Sequence, residues 1–269
     1  MGVRGIVAGA GIAALLLSAS SAFADVCVGS CGTSGADGVV TLSPTGNATY
    51  QWISTAGGIT GAGTIASVGN GGGSTADGST LTTVDFAASA GKALTFFFNY
   101  VTSDGQGSSG NFTDYGWAEL QTSSGSHVAW LFTARTEPSG NISPGQGLPA
   151  DDSTLTPSSS AIIPGPPTWS PLGAYSGWCY GGTGNGCGYT GWIESAYTIA
   201  SSGNYRIVFG VTNWLDNQYD TGLAFDGVSV GGVPISGGSV PEPATMGVAL
   251  MGMGLLYGML RARKAKSAA

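Results

Sequence analysis

The feature that most constrains this chain is a two-residue alternation of apolar side chains in a sequence with almost no helical periodicity. Leu94, Phe96, Phe98 and Tyr100 share one parity, and Tyr205, Ile207, Phe209 and Val211 repeat the pattern. Successive side chains of a strand point to opposite faces, so each run gives a strand with one strongly apolar face. Runs of the same kind cover 48–54, 80–86, 116–122, 126–133, 191–199 and 223–230. Ser- and Gly-rich breaks at 122–126 and 201–204 read as hairpin loops. Many short strands without interleaved helices predict an all-β fold, an antiparallel β-sandwich of jelly-roll type, over residues 25–238.

Two stretches interrupt the regularity. Residues 137–171 are rich in Pro, Ser and Gly and predict a long excursion from the sandwich rather than a second domain. Residues 57–73 are low in complexity and read as a loop.

The two ends have a different character. Arg4, an apolar run from Ile6 to Leu17 and the small-x-small triplet Ala22-Phe23-Ala24 form a signal peptide, residues 1–24, with signal peptidase cleavage expected after Ala24. At the other end, Pro241-Glu242-Pro243 precedes an apolar stretch, 244–260, and then Arg261, Arg263, Lys264 and Lys266. Seventeen residues make about 25 Å of helix, enough for a short membrane span, and the basic tail assigns its far side to the cytoplasm. Residues 25–242 then face away from the cytoplasm.

Those three features in register, over residues 239–269, resemble the PEP-CTERM sorting signal of exported bacterial proteins. The resemblance implies an exosortase as processing partner and removal of the tail near Pro241 to Pro243. The alternative for the same residues is a permanent single-pass anchor. Phe96 to Asp104, Asp114 to Leu120 and Thr221 to Val228 are also similar to the core of exported PEP-CTERM β-sandwich proteins. That likeness implies a fold and a location but no activity.

Composition narrows the rest. Between the two labels stand three basic residues, Lys92, Arg135 and Arg206, against fourteen acidic ones, a net charge of −11. Three cations cannot neutralise a row of phosphates, which excludes nucleic acid as a partner. Four cysteines lie in two local pairs, Cys27 with Cys31 and Cys179 with Cys187. In an exported protein this spacing favours two local disulfides; a four-thiolate zinc site is the alternative, disfavoured by the long spacer of the second pair.

Catalytic patterns are scarce. His127 is the only histidine, and its neighbours Val128, Ala129 and Trp130 read as strand, so it reads as structural. Glu119 and Glu194 are strand glutamates that could serve a glycan hydrolase or lyase. Asp104, Asp114, Asp216, Asp220 and Asp226 sit on or beside turns, and such carboxylates suit a hard cation, Ca²⁺. Trp169, Tyr175, Trp178, Tyr180 and Trp192 surround the second cysteine pair and could stack on sugar rings, or instead form a small satellite core with Cys179 and Cys187. The leading expectation is a non-enzymatic cell-surface or matrix protein, sorted by an exosortase and associated with exopolysaccharide. A secreted carbohydrate-binding module and a glycan-active enzyme are the alternatives.

Overall fold

Alternating strands of this kind must bury one face each, and two antiparallel sheets do so against one another. The computed structural model describes residues 25–66, 68, 75–105, 113–135, 147–158, 162–183 and 186–235. The expected signal peptide, sorting motif and membrane-spanning helix lie outside these residues. Among the described residues no helix is long and apolar enough to cross a membrane.

One sheet runs in the order β1 (Val26–Val28), β5 (Thr75–Thr82), β14 (Gly203–Trp214), β8 (Tyr115–Thr122) and β9 (His127–Arg135). Short strands β4 (Ile59–Thr60) and β6 (Phe86–Ala88) pair with β5 and β14. The second sheet runs β10 (Thr154–Thr156), β13 (Ile193–Thr198), β7 (Ala93–Thr102), β15 (Thr221–Val230), β3 (Tyr50–Ser54) and β2 (Ser30–Ser34). Strands β11 (Ile163–Pro164), β12 (Gly188–Tyr189) and β16 (Val233–Pro234) add to its margins. Every pairing is antiparallel.

The expected parities hold. Leu94, Phe96, Phe98 and Tyr100 of β7 meet Tyr205, Ile207, Phe209 and Val211 of β14 in one core between the sheets. Phe98 stacks on Phe132 and Phe209 on Phe225, both at 3.9 Å between ring centroids. Each outer face carries a smaller cluster. Tyr50, Val101, Trp169, Leu172 and Ala224 cover the second sheet, and Ile65, Tyr115, Trp117, Leu148 and Val208 cover the first. Glycine makes room for these indoles: a Cβ on Gly222 would stand 2.5 Å from the Trp169 ring, and one on Gly210 2.3 Å from that of Trp117.

The structure corrects the sequence reading at three places. Residues 201–204 do not close a hairpin, because β13 and β14 belong to different sheets and the segment crosses between them. Strands β1 and β2, joined by the Cys27–Cys31 disulfide, were not expected; their Val-Cys-Val and Ser-Cys-Gly-Thr-Ser sequences carry no apolar alternation. The excursion at 137–171 adds strands to the second sheet, with β10 and β11 inside it. It also blunts an edge. Asp152 accepts from the Trp130 amide (2.8 Å) and Asp151 from that of Thr133 (2.9 Å), so side chains occupy β9 donors that would otherwise invite another strand.

Candidate functional site

The open end of the sandwich where β7 finishes and β15 begins gathers most of the acidic candidates. On the first sheet, Gly78 and Tyr115 flank Thr212 from opposite sides, on β5 and β8. One residue further along, Asp77, Asn213 and Asp114 therefore form a row across three neighbouring strands. From the second sheet come Thr102, Asp104, Asp220 and Thr221.

Asp114 is 2% exposed, and both its carboxylate oxygens are engaged. Oδ1 accepts from the Trp214 amide (2.8 Å) and Oδ2 from the Thr221 hydroxyl (2.7 Å), which also lies 2.8 Å from the hydroxyl of Thr102. Asp104, 5% exposed, directs its amide to Thr102 Oγ1. Burial raises Asp104 to about 8, against the opposing effect of the Gly105 amide, and Asp216 adds to the rise. Burial raises Asp114 well above the ordinary carboxylate range, with the Asp104 charge the next contributor.

A second group lies alongside. Asp220 accepts from Thr55 Oγ1 (2.9 Å), and the Asn213 amide donates to Asp77 Oδ1 (3.0 Å). Burial raises Asp220 to about 6 and raises Asp77 as well. None of the groups acting on these four carboxylates is a cation; they are aspartates, hydroxyls, amides and the Asn213 side chain. Asp216 sits on the 215–219 turn, where Leu215 and Tyr219 both have positive φ (76° and 59°). Non-glycine residues adopt that conformation only where the surroundings enforce it.

Asp226 does not join this group. It faces away from it on β15, beside the register shift between Asp226 and Ser229, and its carboxylate accepts from Ser43 Oγ, Thr45 Oγ1 (2.6 Å) and Asn47 Nδ2 (2.9 Å). Its role is to tie the 43–47 turn to the sheet. Conversely, Asp77 and Asn213 belong to the acidic end although no turn motif pointed to Asp77.

The aromatic candidates divide in the same way. Trp169 is fully buried and donates from Nε1 to the Tyr50 hydroxyl (3.0 Å), so it has no face to offer a sugar. Trp192 lies edge-on to Tyr50 and donates to the Thr41 carbonyl (3.0 Å). The satellite core therefore forms on Tyr50, not around the cysteines. Trp178 (61% exposed) and Tyr180 (39%) remain on the surface. Tyr175 and Tyr180 pack against Tyr219 at 4.9 and 5.1 Å, and the Tyr180 amide donates to the Ser103 carbonyl (3.0 Å) beside Asp104. Tyr219, which no motif singled out, thus joins Tyr175 and Tyr180 to the acidic end.

Both expected disulfides, Cys27–Cys31 and Cys179–Cys187, are formed. His127 Nδ1 lies 2.7 Å from Glu119 Oε1, and Gln121 donates to the other oxygen of that carboxylate (2.7 Å). Glu119 alternates with the core residues Ala118 and Leu120 on the first sheet, as Glu194 does with Ile193 and Ser195 on the second. The two glutamates therefore project from opposite outer faces of the sandwich. They cannot flank one glycosidic bond, for which carboxyl groups stand about 5–9.5 Å apart.

The two ends of the described chain meet at the other end of the molecule. Asp25, Pro234 and Ile235 line one surface cavity of about 370 Å³, with Thr83 and Asp226. Asp25 accepts there from Gln51 Nε2 (2.8 Å) and the Val84 amide (3.1 Å). Thr83 bonds to Ile207, six residues before Asn213 on β14. At about 3.3 Å per residue, the acidic end is roughly 20 Å from this cavity.

Beyond the described residues, 239–264 match the model of the PEP-CTERM protein-sorting motif. The chain therefore joins an all-β, disulfide-bonded domain to a PEP-CTERM sorting motif, and that motif implies export with a membrane-anchored stage before exosortase cleavage. No curated protein matches the chain.

Proposed function

We propose that this is a non-enzymatic cell-surface or extracellular-matrix protein, released from its membrane-anchored stage by an exosortase and associated with exopolysaccharide. The observation that carries the reading is the match of 239–264 to the sorting motif, set directly after a folded domain of the opposite character: acidic, disulfide-bonded and all-β. Its eight principal strands, numbered along the chain, take the order 2-7-4-5 in one sheet and 1-8-3-6 in the other, which supports a jelly roll. Opposed placement of Glu119 and Glu194 argues against their joint use as a hydrolytic pair.

In the native host, Pro241→Ala combined with Glu242→Ala is expected to leave the protein uncleaved in the membrane fraction. Release at the normal rate would overturn the sorting assignment. The exposed Trp178 and Tyr180, the latter packed on Tyr219 beside the acidic end, favour carbohydrate binding as the second reading. On that reading, Trp178→Ala abolishes retention on the host's own exopolysaccharide and leaves the melting temperature within about 1 °C of wild type, since few contacts are lost at an exposed site.

A further inference from the structure

We infer that the acidic end of the sandwich is a calcium site, with the carboxylates of Asp104 and Asp114 and the amide oxygen of Asn213 as its protein ligands. Among the described residues no three Asp, Glu, His or Cys side chains converge tightly enough to hold a metal. A site here therefore rests on two carboxylates and neutral oxygens, a mixture that Ca²⁺ accepts in its six to eight positions.

Two observations converge on it. Asp104 and Asp114 are nearly inaccessible neighbours, and the groups acting on them are donors already in use and further aspartates. Burying two adjacent carboxylates is unfavourable unless a positive charge or a proton compensates them. Independently, Asn213 is fully buried, and its Oδ1 has no hydrogen-bond partner among the described residues. Strand β14 lies between β5 and β8, so at the level of Asn213 the flanking residues are Asp77 on one side and Asp114 on the other. The amide nitrogen is turned to Asp77, which turns the oxygen towards the Asp114 side. The contact of the Trp214 amide with Asp114 places that carboxylate against the peptide following Asn213. A buried amide oxygen without a donor, on the strand next to that of a buried carboxylate, has the requirements of a hard cation.

The absence of nearby imidazole or thiolate favours calcium over zinc or copper. Irregular, mixed ligands favour it over Mg²⁺, which demands near-octahedral geometry. Asp216, on the turn held by Leu215 and Tyr219, stands close enough to act on both buried carboxylates and supplies charge at the mouth. The site lies at the end of the sandwich opposite the cavity lined by Asp25, Pro234 and Ile235. The inference does not depend on the sorting assignment.

The test is calcium titration of the purified full-length chain in detergent at pH 7.5, after treatment with a chelator and its removal. One Ca²⁺ should bind per chain, and 1 mM Ca²⁺ should raise the melting temperature by at least 5 °C, with less than a third of that shift in 1 mM Mg²⁺. Asp104→Asn and Asn213→Ala should each weaken binding at least tenfold, while Asp226→Asn, altered at a carboxylate far from the site, should bind as wild type does. A folded wild-type chain with no calcium-dependent heat and no shift would overturn the proposal, as would an equal response to Mg²⁺. Retained binding in Asp104→Asn would overturn the ligand assignment, and the wild-type titration decides the matter even if a variant does not fold.

Discussion

Phe209→Ala should lower the melting temperature by about 10–15 °C while leaving the sheet content of the folded state intact. Phe209 is fully buried, stacked on Phe225 at 3.9 Å and edge-on to Phe96 at 5.3 Å, so its ring spans both sheets at the centre of the core. Truncating a buried Phe costs about 3–5 kcal/mol from lost transfer energy and the cavity left behind. In a domain of this size each kcal/mol shifts the midpoint by roughly 2–4 °C. Thermal unfolding followed by circular dichroism reads the effect directly. A shift of less than about 3 °C would mean that the two sheets do not share this core.

The second large effect is a stability that falls as pH rises. Burial raises Asp104 to about 8, and Asp151 and Asp220 to about 6 each. In the unfolded chain the same groups release their protons near pH 4. Between those limits the folded state binds more protons than the unfolded one, so stability declines with increasing pH, by up to about 1.4 kcal/mol per pH unit for each group inside its window. This sign is opposite to that of an ordinary salt-bridged carboxylate. In the presence of a chelator the melting temperature at pH 5 should exceed that at pH 8 by more than about 10 °C. A flat or rising profile over that range would show that these carboxylates are not buried as described. Saturating calcium should flatten the decline, because the ion replaces the proton as the compensating charge of Asp104 and Asp114.

Much of the fold was legible because its principal strands carry aromatic side chains in strict alternation. The run from Leu94 to Tyr100 announces both the strand and its buried face, and so does that from Tyr205 to Val211. The same test cannot find β2, whose Ser-Cys-Gly-Thr-Ser sequence has no apolar face and is held by pairing with β3 and a disulfide. Nor does a turn sequence reveal its context. Ser201 to Asn204 has turn-forming residues whether the chain reverses within one sheet or, as here, steps to the other.

The acidic end was half legible. Asp104, Asp114, Asp216 and Asp220 were recognisable as turn-associated carboxylates, but their shared location depends on how β7, β8, β14 and β15 meet at one end of the sandwich. Sequence proximity misplaced Asp226, whose strand carries it five residues away from Thr221 and into a network with Ser43, Thr45 and Asn47. It also concealed Asp77, which comes from a distant strand and reaches the site only through the pairing of β5 with β14. For the aromatics, composition showed that Trp and Tyr were concentrated around 169–192, but not that Trp169 points into the protein while Trp178 points out.

The most direct test of the central claim, an exported domain whose C-terminal motif is a removable address, is the mass of the protein recovered from the outer surface or medium of its host. The account predicts a chain that begins at Asp25 and retains no residue beyond Pro243, whatever is attached at the new end. Recovery of the mature protein with residues 244–263 still in place would contradict it.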